Sequence, residues 1–296
     1  MNRLAKEGKV CSFGIVLVLC LMLFSACGEA ADDDQWYWLD ADSKYSNFFR
    51  PSSVVVTKEA KTAHGMMPTE IQADIKTEYS AAGAQETIKA YGIQSIVPDP
   101  TMIVRSEAHL RIHPQTRTVQ YMHETFYNNR GTAVWSRIDG SDREVNSQSF
   151  DEKFYAAVVD QVFHGEETKR RLSRDRWLKL WQRSVDGLAT TVSVDTTTLR
   201  HEGNDIVFWE WNTVKDATGN TLEVQFLKKG VDFPGRRIRL LKGQVWSGTT
   251  GWLDTQDEAG GGYHIIEEGT PGYWSMLVLL RYVKANENWV NRYRLD

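Results

Sequence analysis

The clearest pattern in the chain is a run in which apolar residues return every three or four positions: Phe150, Phe154, Tyr155, Val158, Val159, Val162 and Phe163. That spacing lines one face of a helix, so a helix turned towards a core is predicted here. Ser149 and Glu152 before it have the spacing of a capping box, in which each side chain satisfies a backbone N–H left free at the helix start. A second run, Tyr273, Trp274, Leu277, Val278 and Tyr282, follows Thr270 as N-cap and Pro271 at the first helical position, where a missing N–H costs nothing. Elsewhere the period falls to two. Residues 71–79 and 206–214 read as strands, as do Val119, Tyr121, Thr125 and Tyr127 after a turn at 114–117. Leu222, Val224 and Phe226 alternate as well, and 230–235 are expected to turn the chain back into Ile238, Leu240 and Val245.

Taken in order, these elements describe one unit written twice. The first copy opens with Trp36 and Trp38 and continues through Ser52, Ser53, Val54, Val55 and Val56; the second opens with Trp177 and Trp181 and continues through Thr190 to Asp195. Each copy then has a strand and a hairpin-rich stretch with an aromatic, a glycine and a tryptophan. These are Tyr127, Gly131 and Trp135 in one, and Trp246, Gly248, Gly251 and Trp252 in the other. Each closes with its helix. The expected fold class is α+β, two tandem repeats, each an antiparallel sheet with a C-terminal helix packed on one face. The boundaries read from the sequence are 36–168 for the first domain, 169–176 for a linker and 177–296 for the second domain.

The N-terminal segment sets the expected location. Arg3, Lys6 and Lys9 precede an apolar stretch at 13–24, then Ser25, Ala26, Cys27 and Gly28. This is the order of a secretion signal, and the stretch is shorter than the roughly 20 residues a membrane span needs. Leu23 to Cys27 resembles the lipobox of bacterial lipoproteins, with Phe24 in the place that leucine usually holds. The resemblance implies a signal peptide at 1–26, lipidation of Cys27, an anchor spacer at 27–35 and a location on the cell membrane or outer membrane, outside the cytoplasm. The other two cysteines, Cys11 and Cys20, fall inside the signal. An intrachain disulfide is therefore not expected, and the core must hold the fold. Loss of the signal leaves a net charge of about −6, which argues against nucleic acid as a partner. The densest basic stretch, Lys169, Arg170, Arg171, Arg174 and Arg176, reads as a solvated helix end or linker.

Each copy also resembles the bacterial surface adhesin E family: a tryptophan strand, a strand ending in a D-x-x-S-like turn, an aromatic strand, a hairpin with an aromatic-x-x-x-G turn, and a closing helix. In the second copy the turn is Asp195 to Thr198; the first keeps Ser52 and Ser53 without the aspartate. The family implies small sheet-plus-helix lipoprotein domains, some of which bind host matrix proteins.

Catalytic signatures are lacking: there is no G-x-S-x-G, phosphate loop or H-E-x-x-H. His109, His113 and His123 are the best metal candidates, but His109 and His113 lie four apart on a strand, roughly 13 Å. Whether His123 meets His109 depends on register. Asp139, Asp142 and Glu144 surround Gly140 without the ligand order of a calcium loop. Tryptophan is the stronger hint, since eight of the eleven follow position 176. Trp209 and Trp211 share a strand face: exposed, they are a platform for a sugar, a peptide or a protein; under the helix, they are core. The expectation is thus a noncatalytic, lipid-anchored envelope protein without cofactors, held to the membrane through Cys27 and binding a host or envelope protein or a glycan. The alternative is a structural or assembly component of the envelope, and behind it an enzyme whose site would have to be assembled from scattered residues.

Overall fold

Among the described residues there are sixteen strands in two antiparallel sheets, which take in the segments of period two. In this computed structural model residues 35–255 and 262–295 are described, so the signal, Cys27 and nearly all of the spacer lie outside them. The first sheet holds β1 (Tyr37–Ala41), β2 (Tyr45–Phe49), β3 (Val55–Thr62), β4 (Gly65–Tyr79), β5 (Arg105–His113), β6 (Thr118–Tyr127), β7 (Ala133–Arg137) and β8 (Arg143–Glu144). The second holds β9 (Trp177–Val185), β10 (Leu188–Asp195), β11 (Arg200–Glu202), β12 (Asp205–Lys215), β13 (Thr221–Asp232), β14 (Arg237–Ser247), β15 (Gly251–Asp254) and β16 (His264–Ile265). Five helices accompany them: α1 (Ala81–Ala90), α2 (Glu152–Phe163), α3 (Glu167–Leu172), α4 (Pro271–Ala285) and α5 (Glu287–Val290). Residues 36–296 make one compact unit.

The two sheets have the same wiring. The first runs β1-β2-β4-β5-β6-β7, with β3 on β4 and β8 on β6; the second runs β9-β10-β12-β13-β14-β15, with β11 on β12 and β16 on β14. Local irregularities recur too. The pairing slips once between the first two strands of each sheet, and again beside His109/Leu110 in one and Lys228/Lys229 in the other. In the first half Ser53 Oγ donates to the Arg50 carbonyl and accepts the Asp74 N–H; in the second Thr198 Oγ donates to Asp195 and accepts from Trp209. The D-x-x-S-like turn therefore exists in both halves, with Arg50 where the second has Asp195. The hairpins after β5 and β13 each put an arginine, Arg117 and Arg236, at positive φ (54° and 47°). Their carbonyls accept the N–H of Val145 and Ile266, both at 2.8 Å. A non-glycine residue in that conformation costs about 1 kcal/mol, so its presence twice marks a shared backbone path.

This register corrects the sequence alignment of the copies. The strand matching 190–195 is β2, not the Ser52–Val56 stretch, because Val194 and Phe49 occupy matching places beside Glu210 and Ile75. The turn expected at 230–235 starts later, with Gly230 still inside β13. A Cβ there would stand 2.8 Å from the Asp205 carboxylate, which explains the glycine.

Phe154, Tyr155, Val158 and Val159 of α2 are buried in one cluster with Ile71, Ile75, Leu110 and Ile112. Met276 and Leu279 of α4 share a second cluster with Ile206, Phe208 and Val231. The predicted stripe of α4 is off-centre: Trp274 is exposed, and Met276 and Leu279 carry the buried face. Thr270 does cap α4, accepting the Tyr273 N–H. The capping box of α2 does not form. Asp151 stands at the N-cap, and the Glu152 carboxylate is held instead by Arg176 and Arg117.

Candidate functional site

Where the halves meet, charge is buried and closed upon itself. Glu167, fully buried, accepts from Arg117 Nη1 at 2.9 Å and from Arg292 Nε at 2.8 Å. Arg176 bridges Glu152 and Asp195, and Arg117 also reaches Glu152. Three arginines thus meet three carboxylates, which leaves no net charge to attract a ligand. Burial pushes the Glu167 carboxyl up, but Arg292 and Arg117 more than offset this and hold it below its usual value. The basic stretch read as a solvated linker is therefore divided. Lys169 is solvated, whereas Arg176 is locked into the junction.

The residues singled out from the sequence fall in different places. His109 and His123 are opposite each other across β5 and β6, but both His109 ring nitrogens are engaged, with Asp74 and Gln72. His113 faces the Thr69 carbonyl. Asp139 holds Ser141, Arg137 and Arg143, while Glu144 turns away to Arg200 and Lys228. Those groups do not converge.

The tryptophans do. Ile206 and Phe208 of β12 lie in the cluster with α4, so by alternation Trp209 and Trp211 point to the opposite face. Trp209 is buried there, stacked on Phe226 at 4.3 Å, with its indole N–H on Glu144 of the first half. Trp211 lies beyond that cover and is half-buried. Trp177 of β9 and Trp252 of β15 reach it from the two edges of the sheet, at 6.2 and 6.1 Å between ring centroids. Two strands separate β12 from β15, a span of roughly 14 Å, which the two long indole side chains bridge by leaning towards each other. Phe226 completes the cluster, 5.3 Å from Trp211. Trp177 and Trp252 remain 38% and 41% exposed. Beside them the Gln244 amide donates to the Asp254 carboxylate at 2.9 Å.

Register gives an internal control. The positions of the first sheet that match Trp209, Trp211 and Phe226 are Asp74, Lys76 and Glu107. There Asp74 pairs with His109 and Glu107 with Arg105, while Lys76 pairs with Glu78 and lies over the rings of Phe48 and Trp36, the latter at the position that matches Trp177. The fold therefore does not need aromatic residues at these places.

No protein-family model, curated protein or solved structure matches this chain.

One other polar cavity, of about 320 Å³, lies in the first half between α1, β4, β6 and the start of α2. Tyr121 donates to Asp151 at 2.6 Å, and Glu124 accepts from Arg137 at 2.7 Å and from Tyr91 at 3.3 Å. Burial pushes both carboxyls above their usual values. Each is already held by donors of the protein, an arrangement that locks protons in place and packs the cavity wall.

Proposed function

We propose that the protein is a noncatalytic, lipid-anchored binding module of the bacterial envelope, and that its second half takes a glycan on the aromatic cluster of Trp177, Trp211, Phe226 and Trp252. In this reading each half is one sheet with its closing helix over one face, in the manner of surface adhesin E domains. Cys27 carries the lipid that holds the module outside the cytoplasm. The observation that carries the reading is the exchange of Asp74, Lys76 and Glu107 for Trp209, Trp211 and Phe226 at matching positions of one fold.

Sugar rings present flat C–H faces that stack on indoles, and their hydroxyls bond to amides and carboxylates. The cluster offers both kinds of group, with Gln244 and Asp254 beside it. Titration of the protein with soluble neutral polysaccharides, followed by tryptophan fluorescence and calorimetry, tests the proposal. Saturable binding that weakens at least about tenfold in Trp252→Ala is expected, since exposed aromatic anchors dominate such sites. Binding to no glycan, or binding indifferent to both Trp252→Ala and Trp177→Ala, would overturn it. The anchor is tested separately, by intact mass of membrane-derived protein beside Cys27→Ala. An acylated N-terminus at Cys27 is expected, and an unmodified one would remove the lipid from the proposal.

A further inference from the structure

The same matching of positions exposes a second difference between the halves, this time inside. In the first half Ile75, Leu110 and Phe154 are buried together in one core cluster. Strand register matches the first two to Glu210 and Lys229. The helix N-termini match Phe154 to Ser275, since Val145 and Ile266 bond to the two left-handed arginines, and Ser149 and Thr270 bond back to Asn146 and Glu267. Tyr155 and Val158 then fall on Met276 and Leu279, all four buried, as the matching requires. In the second core Ser275, Glu210 and Lys229 thus stand where the first has a phenyl ring and two aliphatic side chains, while Phe208 takes the place of Ala73.

A cavity of about 200 Å³ lies between the second sheet and α4, walled by Val192, Phe208, Val231, Ile238, Met276 and Leu279. Glu210 and Lys229 line it as an ion pair, so neither contributes an uncompensated charge. Two other polar atoms lining it have no partner among the described residues: Asn212 Oδ1 and Ser275 Oγ, both shielded from solvent. The Asn212 amide nitrogen is already directed at Gln225, which leaves its oxygen as a free acceptor. Buried polar atoms are rarely left without a partner.

We propose that this cavity binds a small aromatic molecule of one ring that carries a hydroxyl or N–H donor. The ring packs against Phe208, Met276 and Leu279, and the donor meets Asn212 Oδ1 and Ser275 Oγ. This site is independent of the aromatic cluster, which lies on the opposite face of the same sheet.

Phenol and benzene are the probes, titrated into the intact chain by calorimetry and ligand-observed NMR. Phenol is expected to bind at one equivalent per chain and at least about fivefold more tightly than benzene, the ordinary value of one buried hydrogen bond. Ser275→Phe restores the residue type of the first half and should weaken phenol at least about twentyfold while the chain keeps its near-UV circular dichroism. If that variant misfolds, Ser275→Leu serves the same purpose. Asn212→Thr, again the residue type of the first half, should bring the two probes to within about twofold of each other. Absence of saturable phenol binding, two equivalents per chain, or undiminished binding in a folded Ser275→Phe or Ser275→Leu protein would overturn the proposal; the first of these is also the result expected if ordered water alone satisfies the two polar atoms.

Discussion

Glu167 and Asp151 are both buried carboxylates near the ends of α2, and they should respond to pH with opposite signs. Glu167 lies between Arg117 and Arg292, which together outweigh its burial and lower its pKa. Its contribution is present above the unfolded value and is lost as pH falls through the lower folded one. Glu167→Gln should therefore cost about 3–5 kcal/mol at pH 7, because two buried guanidinium groups lose their shared partner. Denaturant melts at pH 7 and pH 3 should show the gap to wild type narrowing at the lower pH; a gap that stays constant would argue against the charge as its source. Asp151 has a raised pKa, with burial outweighing the hydrogen bond from Tyr121 and the nearby arginines. Protonation stabilises such a group: the gain is full below the unfolded value of 3.8 and is lost as pH rises through the folded one. Asp151→Asn keeps an acceptor for Tyr121 without the buried charge. It should equal or exceed wild-type stability at pH 7, with the advantage shrinking as pH falls.

At the scale of elements, one turn performs two tasks in the two halves. Arg117 and Arg236 share a left-handed backbone, but Arg117 is buried against Glu167, Glu152 and the ring of Tyr155, whereas Arg236 is exposed and forms a salt bridge at 3.6 Å with the exposed Glu268. Arg236→Gly, which relieves the backbone at the expense of chain entropy, should change stability by less than about 1 kcal/mol; Arg117→Gly should cost at least about 3 kcal/mol. Equal effects in thermal melts would mean that the turn, and not the ion network, sets the outcome. Periodicity in the sequence found α2, α4 with its Thr270 cap, and most long strands, because those signals are local. It did not find α1, whose buried residues Gly83, Ala84, Thr87 and Ile88 are too small and mixed to form an apolar stripe. The capping box failed for a nonlocal reason: the partners of Glu152, Arg117 and Arg176, lie 35 and 24 residues away. Trp211 was legible as one of a pair on one strand face. Trp177 and Trp252 could be joined to it only by strand order, which depends on pairings between distant segments.

For the whole molecule, the last stretch of chain makes the two halves one folding unit. Trp289 and Val290 of α5 belong to the core of the second half, while Tyr293, three residues on, belongs to that of the first and packs on Phe163 at 4.6 Å. Between them Arg292 donates to Glu167 and to the carbonyls of Thr197 and Leu199. Trp289 also donates its indole N–H to the Thr196 carbonyl, at 2.9 Å. Ten residues therefore anchor in both cores and supply one arm of the ion network, although the sheets share no strand. Cooperative unfolding needs an interface whose loss exposes enough to unfold both sides, and here that interface depends on a segment that cannot stay docked if either half opens. Intact protein should give one calorimetric transition, with van't Hoff and calorimetric enthalpies in agreement. Deletion of residues 287–296 leaves Glu167 facing Arg117 alone and removes apolar groups from both clusters. It should lower the melting temperature and split the endotherm in two, the first half and the second melting separately. A single sharp transition at an unchanged temperature after the deletion would show that the contacts of Arg117, Arg176 and Glu144 couple the halves without the C-terminal segment.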